Sequence, residues 1–204
     1  MKVLVIPDVH LKPYMFHQAD RLLEQGVAER TVCLMDIPDD WDREYNIELY
    51  VETFDTAIAF AKKYPDTLWT YGNHDLCYMW NERRVVTALR HHGGVLDFFV
   101  KNTVPSAKYH DVDEVVNRIN DLHHDSMWND ASPIWYRPQF SAGRMYKPRK
   151  ILQVVGHTPV DEIYRKDNVI SCDVFSTYRD GRPIGTREFL LIDTKTWKFR
   201  GISG

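Results

Sequence analysis

Three short apolar runs constrain this chain more than any other feature: each ends in a cluster of polar side chains, and a helical pattern separates each from the next. Residues 2–6 form a β-branched run that stops at Pro7 and is followed by Asp8-Val9-His10. Apolar residues then recur at Phe16, Ala19, Leu22, Leu23 and Val27, a helical period, before a second run at residues 31–35. That run ends at Asp36-Ile37-Pro38-Asp39-Asp40. A second helical pattern, Ile47, Tyr50, Val51, Phe54, Ile58 and Ala61, is stopped by Pro65, and a third run at residues 67–71 ends in Gly72-Asn73-His74-Asp75. Strand, helix, strand, helix, strand in this rhythm predicts βαβ units, a largely parallel sheet and an α/β fold. In such sheets ligands gather beyond the carboxyl ends of the strands, where all three polar clusters fall.

The rest of the chain is more β-rich towards its end. Residues 84–89 read as a strand or a helix end and deliver His91-His92-Gly93-Gly94. Val112, Val115, Val116, Ile119 and Leu122 give a helical period, with Asp111 as its N-cap. Residues 151–155 form an apolar run ending at Gly156-His157-Thr158-Pro159, and residues 169–172 another ending at Asp173. Residues 186–192 and 197–199 read as a closing hairpin around Asp193-Thr194-Lys195-Thr196. With no repeat, low-complexity tract or linker, the expectation is one domain over residues 1–204.

A formal net charge of -3 gives no electrostatic case for nucleic acid or an anionic membrane. Residues 1–6 are too short an apolar segment for a signal region, and no run approaches a membrane span. Cys33, Cys77 and Cys172 lack the spacing of a disulfide framework or a structural zinc site, so a reduced, cytoplasmic setting is expected.

Together the strand ends offer Asp8, His10, Asp36, Asn73, His92 or a neighbour, and His157. Each cluster alone has a plainer explanation: Asp8 as a helix cap, residues 36–40 as a solvated acidic turn, residues 156–159 as a glycine and proline turn. Their occurrence in order, each at a strand end, argues instead for a metal site. Mixed carboxylate, amide and imidazole donors suit manganese, iron, zinc, cobalt or nickel better than magnesium or calcium. One carboxylate can bridge two cations roughly 3.5 to 4 Å apart, and Asp36, on the central of the first three strands, is the candidate bridge. Water between two such ions loses a proton readily and becomes a nucleophile.

The ordered set Asp8-x-His10, Asp36-x-x-Asp39, Gly72-Asn73-His74-Asp75, His92-Gly93-Gly94 and Gly156-His157-Thr158-Pro159 resembles the calcineurin-like metallophosphoesterase superfamily, closest to its phosphoprotein phosphatase and dinucleoside tetraphosphatase-like branch. The resemblance implies an αββα sandwich, two mixed sheets flanked by helices, around two divalent metal ions, manganese foremost. It implies hydrolysis of phosphate mono- or diesters or phosphoanhydrides by attack of metal-bound hydroxide. It places Asp8 and His10 on the first metal, Asp36 between both, and Asn73, His92 and His157 on the second. His74 would be the general acid, held by Asp39, and Arg137 would bind the substrate phosphate. The implied substrate is a phosphorylated small molecule or nucleotide, with no membrane partner; nucleic acid and phosphoprotein substrates and the oligomeric state stay open. The competing readings are a bis(5'-nucleosyl)-tetraphosphatase-like hydrolase and a non-catalytic, protein-binding scaffold on the same fold.

The chain departs from the pattern at several positions. Met35 stands where a glycine normally precedes the bridging aspartate, so the backbone is expected to turn differently there. Asp40 replaces an arginine of the phosphoprotein phosphatases, and Pro159 replaces the second histidine of a Gly-His-x-His motif. Only 18 residues separate Asn73 from His92, where related enzymes place a helix and a strand, so His91, His123 and His124 are the alternatives to His92. Trp41, Tyr78, Trp80, Tyr136 and Tyr178 are candidates for the pocket wall or for core packing.

Overall fold

The computed structural model describes residues 1–43, 45–75, 137 and 151–204. They form β1 (Lys2–Ile6), α1 (Tyr14–Glu24), β2 (Arg30–Cys33), α2 (Ile47–Lys63), β3 (Leu68–Trp69), β4 (Gln153–Val155), β5 (Tyr164–Lys166), β6 (Val169–Ser171), β7 (Phe189–Asp193) and β8 (Phe199–Ile202). The first sheet has the order β3-β2-β1-β7-β8, and the second the order β4-β6-β5. β1, β2 and β3 are parallel, as the strand and helix rhythm requires, while β7 lies antiparallel on the other side of β1 with Leu191 opposite Leu4. Both sheets are mixed, since β4 runs parallel and β5 antiparallel to β6.

The alternation of side chains along β1 sorts its apolar residues onto two faces. Leu4 and Ile6 pack with Met15, Phe16, Ala19 and Leu22 of α1 and with Tyr50, Phe54, Ala57 and Phe60 of α2. Val3 and Val5, with Leu190 and Ile192 of β7, pack against Ile170 of the second sheet and Cys172 just after β6. A strand buried on both faces is the reason its sequence is an unbroken apolar run rather than an alternating one. At about 1.5–3 kcal/mol for each fully buried aliphatic side chain, these two cores are the main favourable term of the fold. Among the described residues, helices, first sheet and second sheet stack in that order, three layers of the expected αββα sandwich.

Both helical periods of the first half become helices. α2 is capped by Asn46, whose side chain accepts from the Leu49 amide at 3.1 Å. The closing hairpin is β7 and β8, but β7 begins later than the apolar pattern because the Thr186 and Arg187 amides bond to the carbonyls of Asp161 and Val174. β5 has no counterpart in the sequence reading: its Tyr-Arg-Lys composition carries no apolar run, and it pairs as an outer strand through a turn in which Asp167 takes φ 55°. The helical period at residues 112–122 and the segment at residues 84–89 lie outside the described residues.

Beyond the strand ends the loops are tied together by name. The amides of Val9, His10 and Leu11 bond to the carbonyls of Met35, Asp36 and Ile37 at 2.8–2.9 Å, which prolongs the β1–β2 pairing past both strands. The buried Asp75 carboxylate then accepts the amides of Asp36 at 2.9 Å, Ile37 at 3.0 Å and Gly72 at 2.8 Å. Asp75→Ala strands three donors, those of Asp36 and Ile37 buried and that of Gly72 half-buried, each costing roughly 1–3 kcal/mol when left unmade. The expected loss is at least about 3 kcal/mol of unfolding free energy in urea titrations, and Asp75→Asn, which keeps an acceptor, should lose less. Equal stability of the alanine variant and the parent would show that this carboxylate does not hold the loops.

Candidate active site

Three carboxylates converge from three strand ends and are buried: Asp8 after β1, Asp36 after β2 and Asp173 after β6. The glycines of the neighbouring loops make room for two of them. A Cβ on Gly72 would overlap the Asp36 carboxylate, and one on Gly156 would overlap that of Asp8. The Asp36 side chain accepts from the His74 amide at 2.9 Å, and Asp8 accepts from the His157 amide. The loops after β3 and β4 therefore close directly onto the carboxylates.

Burial drives the Asp8 carboxyl well above the ordinary carboxylate range, and the neighbouring charges of Asp173 and Asp36 push it further. Burial likewise raises Asp173, whose side chain also accepts from the Ser176 hydroxyl at 2.7 Å. Burial lowers His157, with Arg137 among the cations adding to the effect, which favours the neutral imidazole that can ligate a metal.

Hydrogen-bond partners set the tautomers of the three imidazoles. His10 Nδ1 lies 2.9 Å from the Asp39 carbonyl oxygen, so Nδ1 must carry the proton and Nε2 keeps its lone pair for a metal. His157 Nδ1 lies 2.8 Å from Asn73 Oδ1, which makes Nδ1 the donor there too and leaves the amide oxygen a second lone pair. His74 Nδ1 is 2.9 Å from Asp39 Oδ2, and the other oxygen of Asp39 accepts from the Tyr50 hydroxyl at 2.7 Å. The rings of His10 and His74 meet edge to face with centroids 5.2 Å apart.

The backbone is bent to achieve this. His10, Leu11, Met35, Asp36, Asp39 and His157 all take positive φ, between 42° and 66°. Such non-glycine conformations cost about 1–3 kcal/mol each and cluster at functional sites. Met35, at φ 62°, adopts the left-handed conformation that suits a glycine, with its side chain fully buried.

Hydrogen bonds thus link the site residues in two groups, Asp8–His157–Asn73 and Asp36–His74–Asp39–His10, and the charges of Asp36 and half-buried Arg137 both bear on His157. His92 and its alternatives His91, His123 and His124 lie outside the described residues, as do Tyr78, Trp80 and Tyr136; Trp41 and Tyr178 are exposed. Sequence reasoning missed Tyr50, which looked like one more apolar position of α2, and Lys12. It also passed over Asp173, although a carboxylate at a strand end was the signal used for the others.

A family model described as calcineurin-like phosphoesterase matches residues 1–181. The chain belongs to that family. No curated protein and no solved structure matches the chain. Calcineurin-like phosphoesterases are generally dinuclear metal enzymes, and the donors here fit such a group: buried, crowded carboxylates, imidazoles whose Nδ1 is the hydrogen-bond donor and one amide oxygen. Among the described residues no three His, Cys, Asp or Glu side chains are gathered tightly enough to hold an ion by themselves. No described helix is long and apolar enough to cross a membrane.

Carboxyl crowding makes the stability of the metal-free protein depend on pH. A carboxyl raised in the fold above its ordinary 3.8 contributes stability below that value and loses it as pH climbs through the raised pKa. Asp8→Asn is therefore expected to gain stability relative to wild type as pH rises from about 4 towards neutrality in chelator. Urea midpoints of both proteins at several pH values check this, and a pH-independent difference would refute the crowding.

Proposed function

We propose that this chain is a dinuclear-metal-dependent phosphoesterase acting on phosphate mono- or diesters or phosphoanhydrides. Asp8 and His10 would hold one divalent ion, Asp36 both, and Asn73, His92 and His157 the other, with manganese as the first candidate and iron, zinc, cobalt or nickel as alternatives. When bound, such a pair supplies a nucleophile from water near neutral pH and stabilises charge on the phosphoryl oxygens.

The observation that most supports the reading is the His74–Asp39–Tyr50 chain beside Asp36. Asp39 accepts a hydrogen bond from the Nδ1–H of His74, fixes the ring and stabilises its charged form, so that Nε2 can deliver a proton to the leaving oxygen. Tyr50 occupies the remaining carboxylate oxygen and holds Asp39 in place. A scaffold that only bound proteins would have no use for an imidazole so supported. Arg137, with a planar fork suited to phosphate, has its charge beside His157 and would bind the substrate phosphate; this favours a nucleotide anhydride of the dinucleoside tetraphosphate kind as the second reading.

Turnover of monoester, diester and dinucleoside polyphosphate substrates with added Mn2+ tests the proposal. His74→Ala is expected to lower kcat by about 10²–10⁴-fold for alkyl esters, and less for esters with acidic leaving groups, with metal content retained. Asp36→Asn should abolish turnover and metal pairing together. Loss of metal from the His74 variant would move that residue from acid to ligand, and full activity of the Asp36 variant would end the dinuclear mechanism.

A further inference from the structure

Lys12 is almost wholly buried, and nothing in the proposed chemistry uses it. Its Nζ donates to the His10 carbonyl at 2.9 Å and to Asp40 Oδ2 at 2.9 Å. These two acceptors flank the bond between His10 Nδ1 and the Asp39 carbonyl on both of its strands of chain. Asp40 Oδ1 in turn accepts from the Trp41 amide at 2.9 Å and the Thr177 hydroxyl at 3.3 Å, and Asp42 pairs with Arg179 at 3.0–3.1 Å. The turn at residues 39–42 is thus clamped from outside by the 177–179 segment and from inside by one ammonium group.

Backbone preference does not explain this arrangement, because His10, Leu11 and Asp39 all hold positive φ. A short ammonium with several donors can satisfy a main-chain carbonyl and a carboxylate at once. Its burial is costly unless both are met, which makes the junction specific. Asp40 stands where a phosphate-binding arginine would stand in related phosphatases, and here that position serves the interior of the site.

We infer that Lys12 is a positioning residue: by joining the His10 carbonyl to Asp40 it fixes the His10 ring as the Nδ1–H tautomer and so sets the metal affinity of the first site. The inference rests on the metal reading above. Replacing a buried ion pair by apolar residues is often neutral for stability, so Lys12→Met with Asp40→Leu is the variant of choice. Where the ring of a metal-binding histidine loses its outer partners, affinity falls about 10–100-fold.

Mn2+ affinity is measured by calorimetry on folded wild type and double variant, and the ring nitrogens of His10 are followed by long-range ¹H–¹⁵N correlation in metal-free protein. The expected result is Mn2+ binding weakened by about 10-fold or more and a His10 signal that shifts from one Nδ1–H form to mixed tautomers. Asp40→Asn should give the same changes in smaller degree, and it carries the test if the double variant does not fold. Wild-type affinity, or an unchanged His10 signal, in a folded variant overturns the inference. If wild type itself binds no Mn2+, the metal reading fails instead, and the His10 signal alone decides for Lys12.

Discussion

One buried carboxylate, that of Asp75, holds the amides of Asp36, Ile37 and Gly72 and so ties together the loops that carry the site. Backbone donors in a loop that leaves a sheet have no ladder to join, and burial makes an unpaired donor expensive. Asp75 solves this for two loops at once. It also places the Asp36 backbone so that its side chain meets the His74 amide and passes over Gly72. A carboxylate thus serves as the mortar for another carboxylate, and the electrostatic cost of that choice is visible in Asp75: burial first, and then the charge of Asp36, raise its carboxyl.

This loop region is the least comfortable part of the molecule. Positive φ at residues bearing side chains, three crowded carboxylates and a buried ammonium all disfavour the folded state. The two apolar layers on either side of β1 and β7 offset them. Stability resides in the strands, and the strain resides at their carboxyl ends, which is the division expected where a rigid sheet presents a reactive edge.

How much of this was legible follows from the range over which each cause acts. β1, β2, α1 and α2 declare themselves through periodicity, which is local, and Asp8, Asp36 and Asn73 through their places just past apolar runs. β5 does not, because an outer strand of Tyr, Arg and Lys is held by pairing to β6 and not by its own pattern. Tyr50 hid within an apolar stripe because its ring belongs to the core while its hydroxyl belongs to Asp39. Lys12 and Asp40 are distant in sequence, and only the fold makes one the partner of the other. Met35 shows how neighbours hold an unfavoured conformation: its positive φ is fixed between the bond of the Leu34 amide to the Ile6 carbonyl and the bond that its own carbonyl accepts from the Val9 amide.

β1 carries Asp8 and His10 at its end and is flanked by β2 on one edge and β7 on the other, with Val3 opposite both Arg30 and Ile192. One edge is closed by a strand that follows almost at once, and the other by a strand near the opposite end of the chain. Long-range pairing of this kind forms slowly, because loop closure must precede its reward. As the chain is synthesised, the loop that carries Asp8 and His10 emerges long before its strand has a second neighbour. That strand acquires its full sheet only when β7 arrives, after His157 and Asp173 have been made.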